Sequence, residues 1–141
     1  MTKLVYRGIF NRTAKRKGRT MTNEQIDALK ELGKLIHQLN HKWWHNIDGE
    51  RLERNKGELL CLIHSEISEA MEGERNDLMD DHLPHRKMPE VELADAMIRI
   101  LDYAEGFGYD LAGAIEEKLE YNKHRADHSH EERGKPNGKR W

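Results

Sequence analysis

Residues 64–75 read HSEISEAMEGER, and residues 91–102 read VELADAMIRILD. Each stretch holds two acids three positions apart, Glu66 and Glu69 in the first and Glu92 and Asp95 in the second. On a helix such pairs share one face about a turn apart. With 22 residues between Glu69 and Glu92, a short connection folds the two stretches into an antiparallel hairpin. Four carboxylates then converge. They repel one another unless a cation joins them, and an all-oxygen set suits Mg²⁺ or another hard metal.

The apolar pattern places helices on both sides of this hairpin. Thr22 and Gln25 have the spacing of a capping box. The helix they open carries Ile26, Leu29, Leu32, Leu35, Ile36, Leu39 and Trp43 on one stripe, and is expected to reach about Asn46. Trp44 falls on a neighbouring edge with His37 and His41, an edge suited to stacking or to water. Asp48-Gly49 marks a turn. A second helix, from about Lys56 to Leu78, has Leu59, Leu60, Leu62, Ile63, Ile67, Ala70 and Met71 on its apolar arc, and Glu66 projects inside that arc. A buried carboxylate needs a partner, because an unpaired one costs several kcal/mol or is driven to protonate.

Pro89 suits the start of a third helix, expected to end near Gly106. Apolar residues cover most of its circumference and leave one polar stripe, Glu92, Asp95, Arg99 and Asp102, which faces either water or the acids of the second helix. Asp110 opens a fourth helix, expected to run to about Asp127. Its apolar stripe of Leu111, Ile115 and Leu119 also carries Lys118, Asn122 and Arg125, which call for something anionic opposite, either carboxylate or phosphate. The fold class expected is all-α, a four-helix bundle-like core completed by oligomerisation.

Bulk properties set the frame. At 141 residues the chain suits one domain over residues 21–128, flanked by a basic leader at 1–20 and a flexible tail at 129–141. Residues 1–20 hold seven Lys/Arg and no acid, against 17 Lys/Arg and 26 Asp/Glu in the rest. That arm is read as a solvated leader rather than a nucleic-acid contact, with Met21 as an alternative start. No apolar run approaches the ~18 residues of a membrane span. Cys61 is the single cysteine; it excludes an internal disulfide and suits a reducing, cytoplasmic setting. Its ordinary role is a small residue in a helix. His82 and His85 lack the further spacing of a zinc site.

The phrases SEISEAMEGER, EVELADAMIRILD and KLEYNKHR, with Glu66-x-x-Glu69 followed by Glu92-x-x-Asp95 and by Lys118-x-x-x-Asn122-x-x-Arg125, resemble the all-α nucleoside triphosphate pyrophosphatases, the MazG-like group, and its phage-encoded members in particular. The resemblance spans roughly Asn23 to Arg125. It implies hydrolysis of a nucleoside triphosphate to monophosphate and pyrophosphate, Mg²⁺ (with Mn²⁺ as a substitute) on Glu66, Glu69, Glu92 and Asp95, and a dimer or tetramer. It further implies Lys118 near the phosphates with Asn122 and Arg125, with Glu66 or Glu69 serving the attacking water. The base is assigned to Trp44, with His41 and Trp43 as neighbours. Family motifs often carry a further acid where this chain has Ser65, which bears on the number of ions.

Two rivals remain. A ferritin-like di-iron bundle requires Glu-x-x-His pairs, and the fourth positions here are Glu69 and Asp95. A non-enzymatic helical interaction module takes the charged pairs as solvated faces and predicts no metal dependence.

Overall fold

The computed structural model describes residues 19–125 and 130–137. Most of the basic leader, the end expected near Asp127 and the GKRW terminus lie outside these residues. Among the described residues the chain is all-α, with α1 (Asn23–Leu39), α2 (His41–Trp44), α3 (Lys56–Asn76), α4 (Met88–Gly106), α5 (Leu111–Lys123) and α6 (His130–Arg133), and no strand. They fall into two compact units. One is Leu29–Leu111, and the other comprises the described residues among Met1–Ala28 and Ala112–Trp141.

In the larger unit α3 and α4 form the expected antiparallel hairpin. Near the end of α3, Gly73 lies against the start of α4, where a Cβ would come within 2.9 Å of Pro89 Cδ and 3.0 Å of the Met88 side chain. Glu66, two turns earlier, meets Arg99 three turns into α4. Asn55 caps α3 by accepting from the Glu58 N–H at 3.1 Å. The helix ends at Asp77 in the left-handed region, φ 51°. Asp80, 6% exposed, folds the connection by accepting from the His82 and Leu83 N–H groups. Lys87, paired with Asp77, leads into α4, with Pro89 in its first turn.

The first helix does not reach Asn46. The chain turns at Asn40, with φ −90° and ψ 8°, and restarts as the single turn α2. Asn40 Nδ2 donates to Asp102 Oδ2 at 3.1 Å, so the break is held by α4. The turn drives Trp44, 1% exposed, onto α4, where Ala96, Leu101 and Ala104 are also buried. The indole Nε1 lies 3.0 Å from both Asp102 carboxylate oxygens. Arg51 and Arg54 lie over its ring at 5.0 and 5.4 Å, and His37 and Phe107 present edges at 5.1 and 5.3 Å. Gly106 is where this ring meets the backbone, and a Cβ there would overlap the indole.

In the other unit the capping box forms as expected. Thr22 N–H donates to Gln25 Oε1 at 2.9 Å, and Gln25 N–H donates to Thr22 Oγ1 at 3.2 Å. Glu116, 5% exposed, accepts from the Thr20 and Met21 N–H groups at 3.0 and 2.7 Å. Glu120 accepts from Thr20 Oγ1, Lys123 and His124; these contacts, Lys123 foremost, hold its carboxyl down at about 2. Thr20 is therefore tied to α5. The tail, expected to lack regular structure, makes one helical turn, α6.

Replacing Gly106 with alanine overpacks the Trp44 contact and is expected to lower unfolding stability by about 1–3 kcal/mol. Urea denaturation followed by tryptophan fluorescence measures it, and a stability equal to the parent's would show that the indole yields without strain.

Candidate metal centre and the adjoining cavity

The pitch of α3 sets Glu66 and Glu69 on one face, and the antiparallel return of α4 brings Glu92 to them. One carboxylate oxygen from each lies within 4.8 Å of the others. Glu66 and Glu92 are 7% and 8% exposed, and Glu69 is open to solvent. Burial pushes the Glu92 carboxyl up to about 7, helped by its hydrogen bond with Glu66 and by the charges of Glu69, Glu66 and Asp95. At that value Glu92 is protonated in a large fraction of molecules near neutrality, and the proton lies in its hydrogen bond with Glu66. Asp95 lies outside the three-acid group. Burial raises its carboxyl, as does Glu66, while Arg99 and His82 oppose the rise.

Arg99 Nε donates to Glu66 Oε1 at 2.6 Å. One guanidinium thus stands against three carboxylates, and the remaining charge is relieved by retaining a proton. A hard divalent cation does the same with better geometry, so the donor set fits Mg²⁺ or Mn²⁺. The Ser65 hydroxyl donates to the Leu62 carbonyl at 2.7 Å.

Beside the acids opens a cavity of about 410 Å³, with Asp95, Arg99 and Asp102 on one side and Asn40, Trp43, Trp44, Arg54 and Tyr103 among its other lining residues. The polar stripe of α4 therefore borders the acids and the cavity, with Glu92 buried, Asp102 half-buried, and Asp95 and Arg99 exposed. Asp102 is the hub there. Besides Trp44 and Asn40 it meets His37, with Nδ1 to Oδ1 at 2.6 Å.

The base assignment changes at the two tryptophans. Trp44 is wedged with its N–H spent on Asp102, so it is a wall rather than a stacking platform. Trp43, expected on the apolar stripe, is 57% exposed and lines the cavity. The break at Asn40 rotates both away from the positions a continuous helix would give them. His41 is not among the lining residues, and it stacks on His45 with ring centroids 3.9 Å apart.

Lys118, Asn122 and Arg125 belong to the other unit. Lys118 Nζ and the Arg125 guanidinium lie over the Tyr121 ring at 4.6 and 5.8 Å. Asn122 Oδ1 is buried without a hydrogen-bond partner. An orphaned acceptor matches a hydroxyl or ammonium donor better than a phosphate oxygen.

Sequence reasoning did not single out the Asp102 hub, the role of Arg99 or the Glu116 anchor. The signal for the first two was the polar stripe on an otherwise apolar helix. For Glu116 it was weaker, a carboxylate one turn before Glu120. Comparison with known protein families, curated proteins and solved structures finds no match for this chain.

A carboxyl raised by folding stabilises the fold below its unfolded value and loses that contribution as pH climbs through the folded value. For Glu92 the window runs from 4.5 to about 7, and Asp95 acts in the same sense. With chelator present, the melting temperature is expected to fall by several degrees across this window and to recover on adding Mg²⁺. Glu92→Gln should flatten most of the slope, and an unchanged slope in that variant would assign it elsewhere.

Proposed function

We propose that the chain is a Mg²⁺-dependent nucleoside triphosphate pyrophosphohydrolase, converting a (d)NTP to (d)NMP and pyrophosphate. The observation that carries this reading is the grouping of Glu66, Glu69 and Glu92, two of them buried, beside a cavity with an exposed indole. The resemblance of the same stretches to the MazG-like group supports it. When bound, Mg²⁺ neutralises charge on the phosphate oxygens and on the leaving pyrophosphate.

The chain's own residues then divide the work. Glu69 is open to solvent and free of the Arg99 bond, so it is assigned to orient the water and take its proton. The water oxygen bonds the α-phosphorus in line, and the bond from that phosphorus to the bridging oxygen breaks. Glu66 and Glu92, with Asp95 beside them, hold the cation. Lys118 and Arg125 are assigned to the phosphates, where Lys and Arg donors offset developing charge. Asn122 is assigned to a sugar hydroxyl. Trp43 replaces Trp44 as the surface on which a base stacks, and stacking of this kind tolerates any base.

A second reading is favoured by the apolar side chains left open on the hairpin. Ile67, Met71, Leu93 and Met97 are 47–59% exposed. A helical interaction module would use such a face without chemistry, and so would an oligomeric enzyme.

Incubation with each common NTP and dNTP, with Mg²⁺ and with EDTA, separates the two. Pyrophosphate release that needs the metal is expected, and no turnover of any of them leaves the module. Glu69→Gln is expected to reduce kcat by about 10²–10⁴-fold, the span of general-base catalysis, with helicity by circular dichroism unchanged; near-parental turnover would remove Glu69 from the mechanism. Lys118→Ala should lower kcat/KM by about tenfold or more if its charge-assisted hydrogen bonds reach the phosphates. Unchanged kinetics would take α5 out of phosphate recognition.

A further inference from the structure

Arg99 occupies the boundary between the three acids and the cavity. Its Nε is bound to Glu66 Oε1, and its side chain lines the cavity wall. The side chain is 42% exposed, against 9% for that of Glu66. Among the described residues the guanidinium hydrogen-bonds to Glu66 through Nε, its two terminal nitrogens make no hydrogen bond, and Asp95 is its other charged neighbour. The bond is therefore made by one edge of a fork whose other edge remains available. The stem is long and already solvated, so rotating it away from Glu66 displaces no packed core.

A divalent cation bound to Glu66 changes this balance. The carboxylate's charge is then shared with a second positive centre a few ångströms from the guanidinium, and like charges at that range repel strongly in a partly buried site. The cavity into which Arg99 can turn has Asp95 and Asp102 on the same helix, but Asp102 already serves Trp44, Asn40 and His37. The anion best matched to a planar fork beside a metal-bound carboxylate set is a phosphate, which takes two parallel N–H bonds.

We propose that Arg99 is a positioning residue with two stations. It holds Glu66 and offsets part of the acids' charge when no divalent cation is present, and it turns to a phosphate group of the bound ligand once the cation takes Glu66. The proposal rests on the pyrophosphohydrolase reading for the identity of the anion. It assigns the displaced counter-ion of the metal site to substrate recognition, so that loading the cation also arms the phosphate contact.

The test reads binding rather than turnover. Mn²⁺ affinity is measured by electron paramagnetic resonance on nucleotide-free protein, and pyrophosphate affinity by calorimetry on the Mn²⁺-loaded protein. Arg99→Gln removes the competing cation and the fork together. Mn²⁺ binding is expected to tighten and pyrophosphate binding to weaken, each by about tenfold or more, given the strength of close charge pairs and bidentate phosphate contacts. Arg99→Lys keeps the charge without the fork, so it should bind Mn²⁺ much as the parent does yet remain weak for pyrophosphate. A purely structural role would not produce that split. Weaker or unchanged Mn²⁺ binding in Arg99→Gln, or unchanged pyrophosphate binding, overturns the two-station role while leaving the enzyme reading intact. A parent protein that binds no Mn²⁺ overturns both.

Discussion

Two carboxylates, Glu66 and Glu92, are buried face to face between α3 and α4, with Glu69 at their edge. This arrangement works against folding, since burial of charge in a helix interface is unfavourable unless it is compensated. Three devices answer it. Arg99 binds Glu66, the Glu92 carboxyl is pushed up to about 7 and so holds a proton below that value, and Glu69 stays open to solvent. An apolar pair at these two positions would make a simpler helix hairpin. Keeping acids there costs stability that an apolar pair would not.

The cavity owes its shape to a second polar feature. Asp102 takes hydrogen bonds from Trp44, Asn40 and His37, and so fastens α1, α2 and α4 at one point. Satisfying a carboxylate this fully makes its burial tolerable. It also fixes the rotation of α2, which buries Trp44 and leaves Trp43 beside the opening. One side of the cavity and one member of the acid group are thus carried on one helix, α4, through residues about one turn apart: Glu92, Asp95, Arg99 and Asp102.

The smaller unit uses carboxylates in another way. Glu116 closes on backbone N–H groups of Thr20 and Met21, donors otherwise left without partners just before α1. Glu120 adds Thr20 Oγ1, the Lys123 ammonium and the His124 ring on its own helix turn or just past it. Here each acid accepts from more than one donor. In the Glu66–Glu69–Glu92 group burial dominates and pushes the Glu92 carboxyl up to about 7, whereas hydrogen bonds from Lys123, Thr20 and His124 hold the Glu120 carboxyl at about 2.

Local spacing determined much of this protein. The i,i+3 acids, the Thr22–Gln25 cap, the Pro89 start and the apolar arc around Glu66 depend only on helical pitch and backbone chemistry, which act within a few residues. They were enough to establish an all-α chain, a hairpin, and the face on which Glu66, Glu69 and Glu92 meet. Tertiary packing decided the rest. The stop at Asn40 was invisible because its reason, Asp102, lies 62 residues away. The exchange of roles between Trp43 and Trp44 follows from that stop. The direction of the α4 stripe could not be read from α4 alone, since water and a facing helix satisfy the same pattern; only the contact of Arg99 with Glu66 turns it inward.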